Sequence, residues 1–256
     1  MIKKILIAIL VLIILGAGVG AWIFYGYTTS NPSSYATVGD IPTPRGYERI
    51  KQDDGFARYL RGLPLKEKGA KVQLYTGSDA RLQSLNYAVI DLPLLSNDEQ
   101  CADMCMRLRA EYLYGAGKTV HFNNVSGKRM TFSGGSRKSF EKYLRKVYGV
   151  ASTFSLSREL ETRPLSEVEP GDVFVYAGVD RGQNLGHAVM VIDVAEDSDG
   201  NRIFMIAEGN TPARECHIVR NWLNPFRSPW FTMDKDANIV QLSPFTYKAK
   251  ELKKWI

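Results

Sequence analysis

The chain has 256 residues, 45% of them hydrophobic, which suits one domain with a real core. Its 33 basic and 27 acidic residues leave a formal charge of +6, spread along the chain with no basic stripe interleaved with aromatics, so nucleic acid is not an expected partner. Three cysteines, Cys101, Cys105 and Cys216, cannot all be paired within one chain.

The N-terminus opens with Lys3-Lys4 and then carries no charge over residues 5–27. A bilayer core needs about 20 apolar residues as helix, against roughly 7–15 for a signal-peptide core. The run therefore reads as a signal-anchor transmembrane helix over 1–27, with Trp22, Phe24 and Tyr25 as interfacial aromatics, the alternative being a cleavable signal whose apolar half, Ile5 to Leu15, is followed by Gly16-Ala17-Gly18-Val19-Gly20-Ala21. The positive-inside rule then places the rest outside: a single-pass protein of the cell membrane with an extracytoplasmic domain. Residues 28–45, polar and Pro-rich, read as a linker, and 46–256 as the domain.

Phe56, Tyr59, Leu60 and Leu63 recur at helical spacing, and Pro64 ends that short helix over 54–63. Residues 72–75 and 87–90 read as strands. Ser96 with Glu99 fits a capping box, so a long helix is expected from Ser96 to about Tyr114, with Cys101, Met104, Cys105, Leu108 and Tyr112 on its inner face. Residues 117–137 read as strand and loop, and 139–147 as a second helix. Strands follow at 173–176, 187–194, 203–207 and 216–219, with a turn at Asp199-Gly200-Asn201, which implies an antiparallel sheet and an α+β arrangement.

Three features in chain order point to thiol chemistry. Cys101, after Gln100, lies near a helix N-terminus, where free N–H groups and the helix dipole favour a thiolate. His187 opens a strand after Gly186. Glu208 and Asn210 end the next strand, and pairing of these strands brings Glu208 beside His187. A cysteine nucleophile, a histidine base and a polar group that orients the base are the requirements of thiol acyl transfer. The competing expectations are bland: Cys101 as a buried residue, Cys105 as packing, a Cys101–Cys216 or Cys105–Cys216 disulfide, or zinc held by the cysteines and His187. His121 and His217 read as structural, with His217 an alternative partner for the base. Arg107 and Glu111 read as a structural i, i+4 pair, and Trp222, Trp230 and Phe231 as core cover or a ligand platform.

The order Gln100-Cys101, Gly171-Asp172-Val173-Phe174-Val175, Gly186-His187-Ala188-Val189-Met190-Val191 and Glu208-Gly209-Asn210 resembles the papain-like cell-wall amidases and endopeptidases, the NlpC and CHAP families. That resemblance covers roughly 100–212. It implies a papain-like central helix on an antiparallel sheet, and Cys101 as nucleophile with His187 as base. Glu208 helped by Asn210 would orient the base, with Gln100 or the Cys101 N–H at the oxyanion hole. It further implies cleavage of an envelope amide, in peptidoglycan or another envelope polymer, without metal or cofactor. The alternative is a catalytically inactive papain-like domain that binds such polymers. Residues 54–230 also resemble an exported bacterial family known only as a domain of unknown function, through Phe56-Ala57-Arg58-Tyr59-Leu60, Gln100-Cys101-Ala102-Asp103, Arg107-Leu108-Arg109-Ala110-Glu111-Tyr112, Gly186-His187 and Ser228-Pro229-Trp230. Leu185 stands where that family usually has Pro, and Glu208-Gly209-Asn210 where it has Gln, a small residue and Tyr.

Overall fold

A computed structural model describes Ile7, Ile9 and residues 11–20, 34–51, 55–242 and 244–256. Among these residues no helix is long and apolar enough to cross a membrane. The expected transmembrane helix, and the single-pass extracytoplasmic location drawn from it, are corrected accordingly; 5, 6, 8, 10 and 21–27 lie outside the described residues. So do 28–33 of the expected linker. Its remainder packs onto the domain: Val38 and Ile41 are buried, and Val38 N–H bonds the Leu63 carbonyl.

The helices are α1 (Gly55–Arg61), α2 (Cys101–Gly115), α3 (Arg137–Tyr148) and α4 (Thr153–Glu159). The strands are β1 (Glu48–Arg49), β2 (Asn86–Val89), β3 (Val120–Asn123), β4 (Arg129–Phe132), β5 (Glu161–Thr162), β6 (Val173–Tyr176), β7 (His187–Glu196), β8 (Arg202–Glu208), β9 (His217–Val219), β10 (Phe231–Thr232), β11 (Ile239–Leu242), β12 (Phe245–Lys248) and β13 (Leu252–Lys254). Nine of them form one antiparallel sheet in the order β2-β9-β8-β7-β6-β13-β5, with β1 added on β7 and β10 on β8. β3–β4 and β11–β12 are separate hairpins.

Both faces of this sheet are covered, which is why β7 reads as an almost unbroken apolar run. Ala188, Met190 and Ile192 join the core under α2, α3 and α4. Val189 and Val191 alternate to the opposite face, where Phe174, Phe204 and Ile206 meet Val240, Leu242 and Tyr247 of the β11–β12 hairpin. A bulge between Val191 and Asp193 ends the alternation. Asp193 is fully buried there and receives Arg49 Nε at 2.6 Å and Arg61 Nε at 2.7 Å, which fastens the N-terminal segment to β7.

The α+β class stands, with two corrections. The expected papain-like central helix on an antiparallel sheet finds no support; the sheet instead takes in β13 from the C-terminal end, which inserts between β6 and β5. The long helix starts at Cys101, not Ser96, because Glu99 is taken elsewhere: it accepts from Arg107 Nη1 at 3.0 Å and from Leu95 N–H at 2.6 Å. The expected strand 72–75 is reduced to isolated bridges from Gln73 and Leu74.

Candidate functional site

Gln100 is the N-cap of α2 and Cys101 its first residue. Gln100 N–H donates to Asp103 Oδ2 at 3.1 Å, the backward half of a capping box displaced four residues from the expected one. The first eight residues of α2, including polar Asp103 and Arg107, are buried all round. Such a helix is held by tertiary packing rather than by one apolar stripe. Arg107 is satisfied by Glu99 and by Glu111 at 2.6 Å, and Glu111 also takes Arg137 at 2.5 Å.

The ends of β7, β8 and β9 bring the titratable groups to this first turn. His187 Nε2 donates to Glu208 Oε2 at 2.8 Å, and the same imidazole is electrostatically coupled to Cys101. Glu208 faces His217 across the β8–β9 ladder, and His217 Nε2 lies 3.5 Å from Glu208 Oε1. His217 Nδ1 donates to the Glu215 carbonyl at 2.9 Å, which fixes that ring. Asn210 Nδ2 donates to Glu208 Oε1 at 3.2 Å. The β8 end meets α2 at Gly209, where a Cβ would lie 3.1 Å from Met104 Cβ and 3.2 Å from the Gln100 carbonyl. Phe245 of β12 stacks on His187 with ring centroids 3.7 Å apart.

Burial opposes charge on His187, but its coupling to Cys101 and its hydrogen bond to Glu208 outweigh that and carry its pKa up to about 9. Burial likewise opposes ionisation of Glu208; its hydrogen bonds to His187 and His217 overcome it and hold the carboxyl well below its ordinary 4.5. The array is a carboxylate between two imidazoles, one of which is coupled to Cys101. Thiols beside a charged imidazole favour the thiolate, the nucleophilic form.

Cys101 opens onto a cleft of about 440 Å³ between the first turn of α2, the start of α4, the 177–186 loop and Thr211. Thr211 Oγ1 donates to Gln100 Oε1 at 2.8 Å. The loop is pinned at Asp180 by Arg158 and at Arg181 by Glu251. Gly186 is where it passes closest to its neighbours: a Cβ there would lie 2.3 Å from the Tyr176 carbonyl and 2.4 Å from Thr153 Oγ1. Gly186→Ala must displace His187 or the loop, and a loss of about 1–3 kcal/mol, the usual cost of overpacking, is expected in chemical denaturation. Stability equal to wild type would mean that the loop yields without strain.

Of the residues singled out by sequence, Cys101, His187, Glu208 and Asn210 come together, and Gln100 sits beside them. Cys101, Cys105 and Cys216 are all free, so neither expected disulfide is present. Burial pushes the Cys105 and Cys216 thiols far up and leaves them un-ionised. Among the described residues no group of three or more His, Cys, Asp or Glu is arranged to hold a metal ion. His121 lies on β3, away from the site, and Trp230 is buried with Nε1 donating to the Pro42 carbonyl. Two participants differ from the sequence reading: His217, expected as structural or as an alternative partner for the base, is an additional partner of Glu208, and Phe245, not singled out, covers His187. The first had a signal, since an alternating β9 register opposite Glu208 selects His217. The second had none, because β12 reaches the site only through long-range packing.

Residues 39–137 and 133–254 match the family described as Domain of unknown function (4846). No curated protein and no solved structure matches the chain, so kinship with the NlpC and CHAP families and a papain-like fold find no support. The chain belongs to the family Domain of unknown function (4846).

Proposed function

We propose that this family member is a thiol-dependent hydrolase of an amide bond. The observation that supports it most is His187 hydrogen-bonded to the Glu208 carboxylate and electrostatically coupled to Cys101 at the helix start. The Cys101 thiolate attacks the amide carbonyl carbon, and the carbonyl electron pair moves onto oxygen. That oxyanion lies in reach of the Cys101 backbone N–H, unpaired in the first turn of a helix. With Gln100 Oε1 engaged by Thr211, the Gln100 Nε2 is the second donor on offer. His187 gives its proton to the leaving nitrogen, the C–N bond breaks, and an acyl-thioester remains on Cys101. Water attacks the thioester carbonyl while His187 takes its proton; the acid departs and the thiolate–imidazolium pair returns. Glu208 keeps the ring in one orientation and favours its charged form, with Asn210 and His217 holding the carboxylate in turn.

Peptide amides of peptidoglycan are the first substrate to try. New amine ends should appear on incubation with the wild-type chain and stay at the no-enzyme level with Cys101→Ala. Equal release by both proteins, or release by neither across a panel of peptide amides, would count against hydrolysis at Cys101.

A further inference from the structure

We propose that Phe245 is a positioning residue of the site: its ring face lies on the His187 imidazole, favours the protonated form of that ring and keeps its edge in line with Glu208. This deepens the hydrolase reading above and rests on it.

The register of β12 places the ring. Phe245 and Tyr247 stand two apart in an extended strand, so both point to the same side. Tyr247 is fully buried against Phe174 and Tyr176, with ring centroids at 5.4 and 5.6 Å. Tyr176 is in turn the partner of His187 across the β6–β7 ladder. With Tyr247 seated there, half-buried Phe245 comes to rest on His187, the ring centroids 3.7 Å apart and the planes 27° from parallel. Neutral aromatic pairs keep their centroids about 4.5–7 Å apart, offset or edge-on, because two negative faces repel. A closer, near-parallel stack suits a cation over a ring face. The imidazole edge is used separately, Nε2 donating to Glu208 Oε2 at 2.8 Å. Face and edge are thus held by different partners, and a tilt of the ring breaks one of the two.

The charges around His187 come from every element packed on it. Cys101 of α2 and Glu208 of β8 favour its charged form, and burial opposes it. Farther along α2, Cys105 and Asp103 lie within electrostatic reach of each other and of Cys101, while Arg107 is spent on Glu99 and Glu111. Glu208 also faces His217 and attracts Arg214. Tyr176 and Tyr247 bring hydroxyls from β6 and β12, and Arg181, 3.5 Å over the Tyr176 ring, is paired with Glu251. Phe245 adds a contribution that none of these supplies, an attraction to the imidazolium that needs no second charge in a buried place.

The test is the titration of His187 in the full chain, followed by NMR across neutral and alkaline pH on the imidazole signal that His187→Ala removes. Phe245→Leu, which keeps an apolar cover, should lower the midpoint by about one unit, a tenfold loss of proton affinity. Phe245→Tyr, which keeps the ring, should leave it near the wild-type value of about 9. Cys101 alkylation by iodoacetamide below about pH 7 should follow, up to about tenfold slower in Phe245→Leu and unaltered in Phe245→Tyr. A side chain that acts by packing alone lowers the melting temperature of Phe245→Leu and leaves His187 titrating as before. That result, a midpoint that rises in Phe245→Leu, or one that both substitutions lower alike, overturns the assignment; fast His187-dependent alkylation in wild type would then leave the hydrolase reading standing. Alkylation that ignores His187→Ala removes the hydrolase reading, while a midpoint lowered in Phe245→Leu alone still seats Phe245 on a charged ring.

Discussion

Glu208→Ala should cost about 3–5 kcal/mol of stability at pH 6, the usual penalty for removing one partner of a buried charged pair. For a domain of this size that is a fall in Tm of roughly 6–20 °C. The carboxylate is 5% exposed and serves His187, His217 and Asn210 at once, so its loss leaves two imidazoles without their shared acceptor. The sign of the pH dependence follows from the two shifts. His187 holds its proton up to about 9 when folded against an ordinary 6.5, so its contribution is complete below 6.5 and lost as pH rises through about 9. Glu208 is shifted down from 4.5, so its contribution is present above that value and lost as pH falls through its lower folded value. The pair therefore supports the fold fully between about 4.5 and 6.5.

Asp103 and Asp172, raised by burial to about 8 and about 7, also weaken the fold as pH rises. The comparison must then be wild type against Glu208→Ala at each pH, which cancels their contribution to first order. The difference should be largest near pH 6 and shrink toward pH 9. A constant difference, or none, would show that the carboxylate does not hold His187 as a charged partner.

What the sequence makes legible follows from range. The four consecutive strands from Val173 to Val219 announce themselves by apolar runs and the Asp199-Gly200-Asn201 turn, and they form neighbouring strands of the sheet. The meeting of His187 with Glu208 is readable because it needs only that one hairpin. The start of α2 is not, since Glu99 matches a local capping pattern yet is drawn to buried Arg107, eight residues on. β13 between β6 and β5, and Phe245 over His187, depend on contacts between segments far apart in the chain, which periodicity does not encode. The N-terminal apolar run illustrates the opposite error: composition alone suggested a membrane span, while no described helix has the length and apolarity for one.

The decisive measurement is the rate of Cys101 alkylation by iodoacetamide as a function of pH, in wild type and in His187→Ala. Free thiols gain reactivity only toward their ordinary pKa near 8.5, whereas thiols paired with a charged imidazole react well below it. His187 keeps its proton up to about 9, so wild-type Cys101 should react faster below pH 7 than the same thiol without the imidazolium. In His187→Ala the rate below pH 7 should fall by at least about tenfold and recover only in alkali. Cys105 and Cys216, fully buried, should contribute little to either profile. An alkylation profile that rises only near pH 8.5 in wild type, or one that His187→Ala leaves in place, would contradict a thiolate–imidazolium pair and leave a domain that binds its partners without chemistry at Cys101.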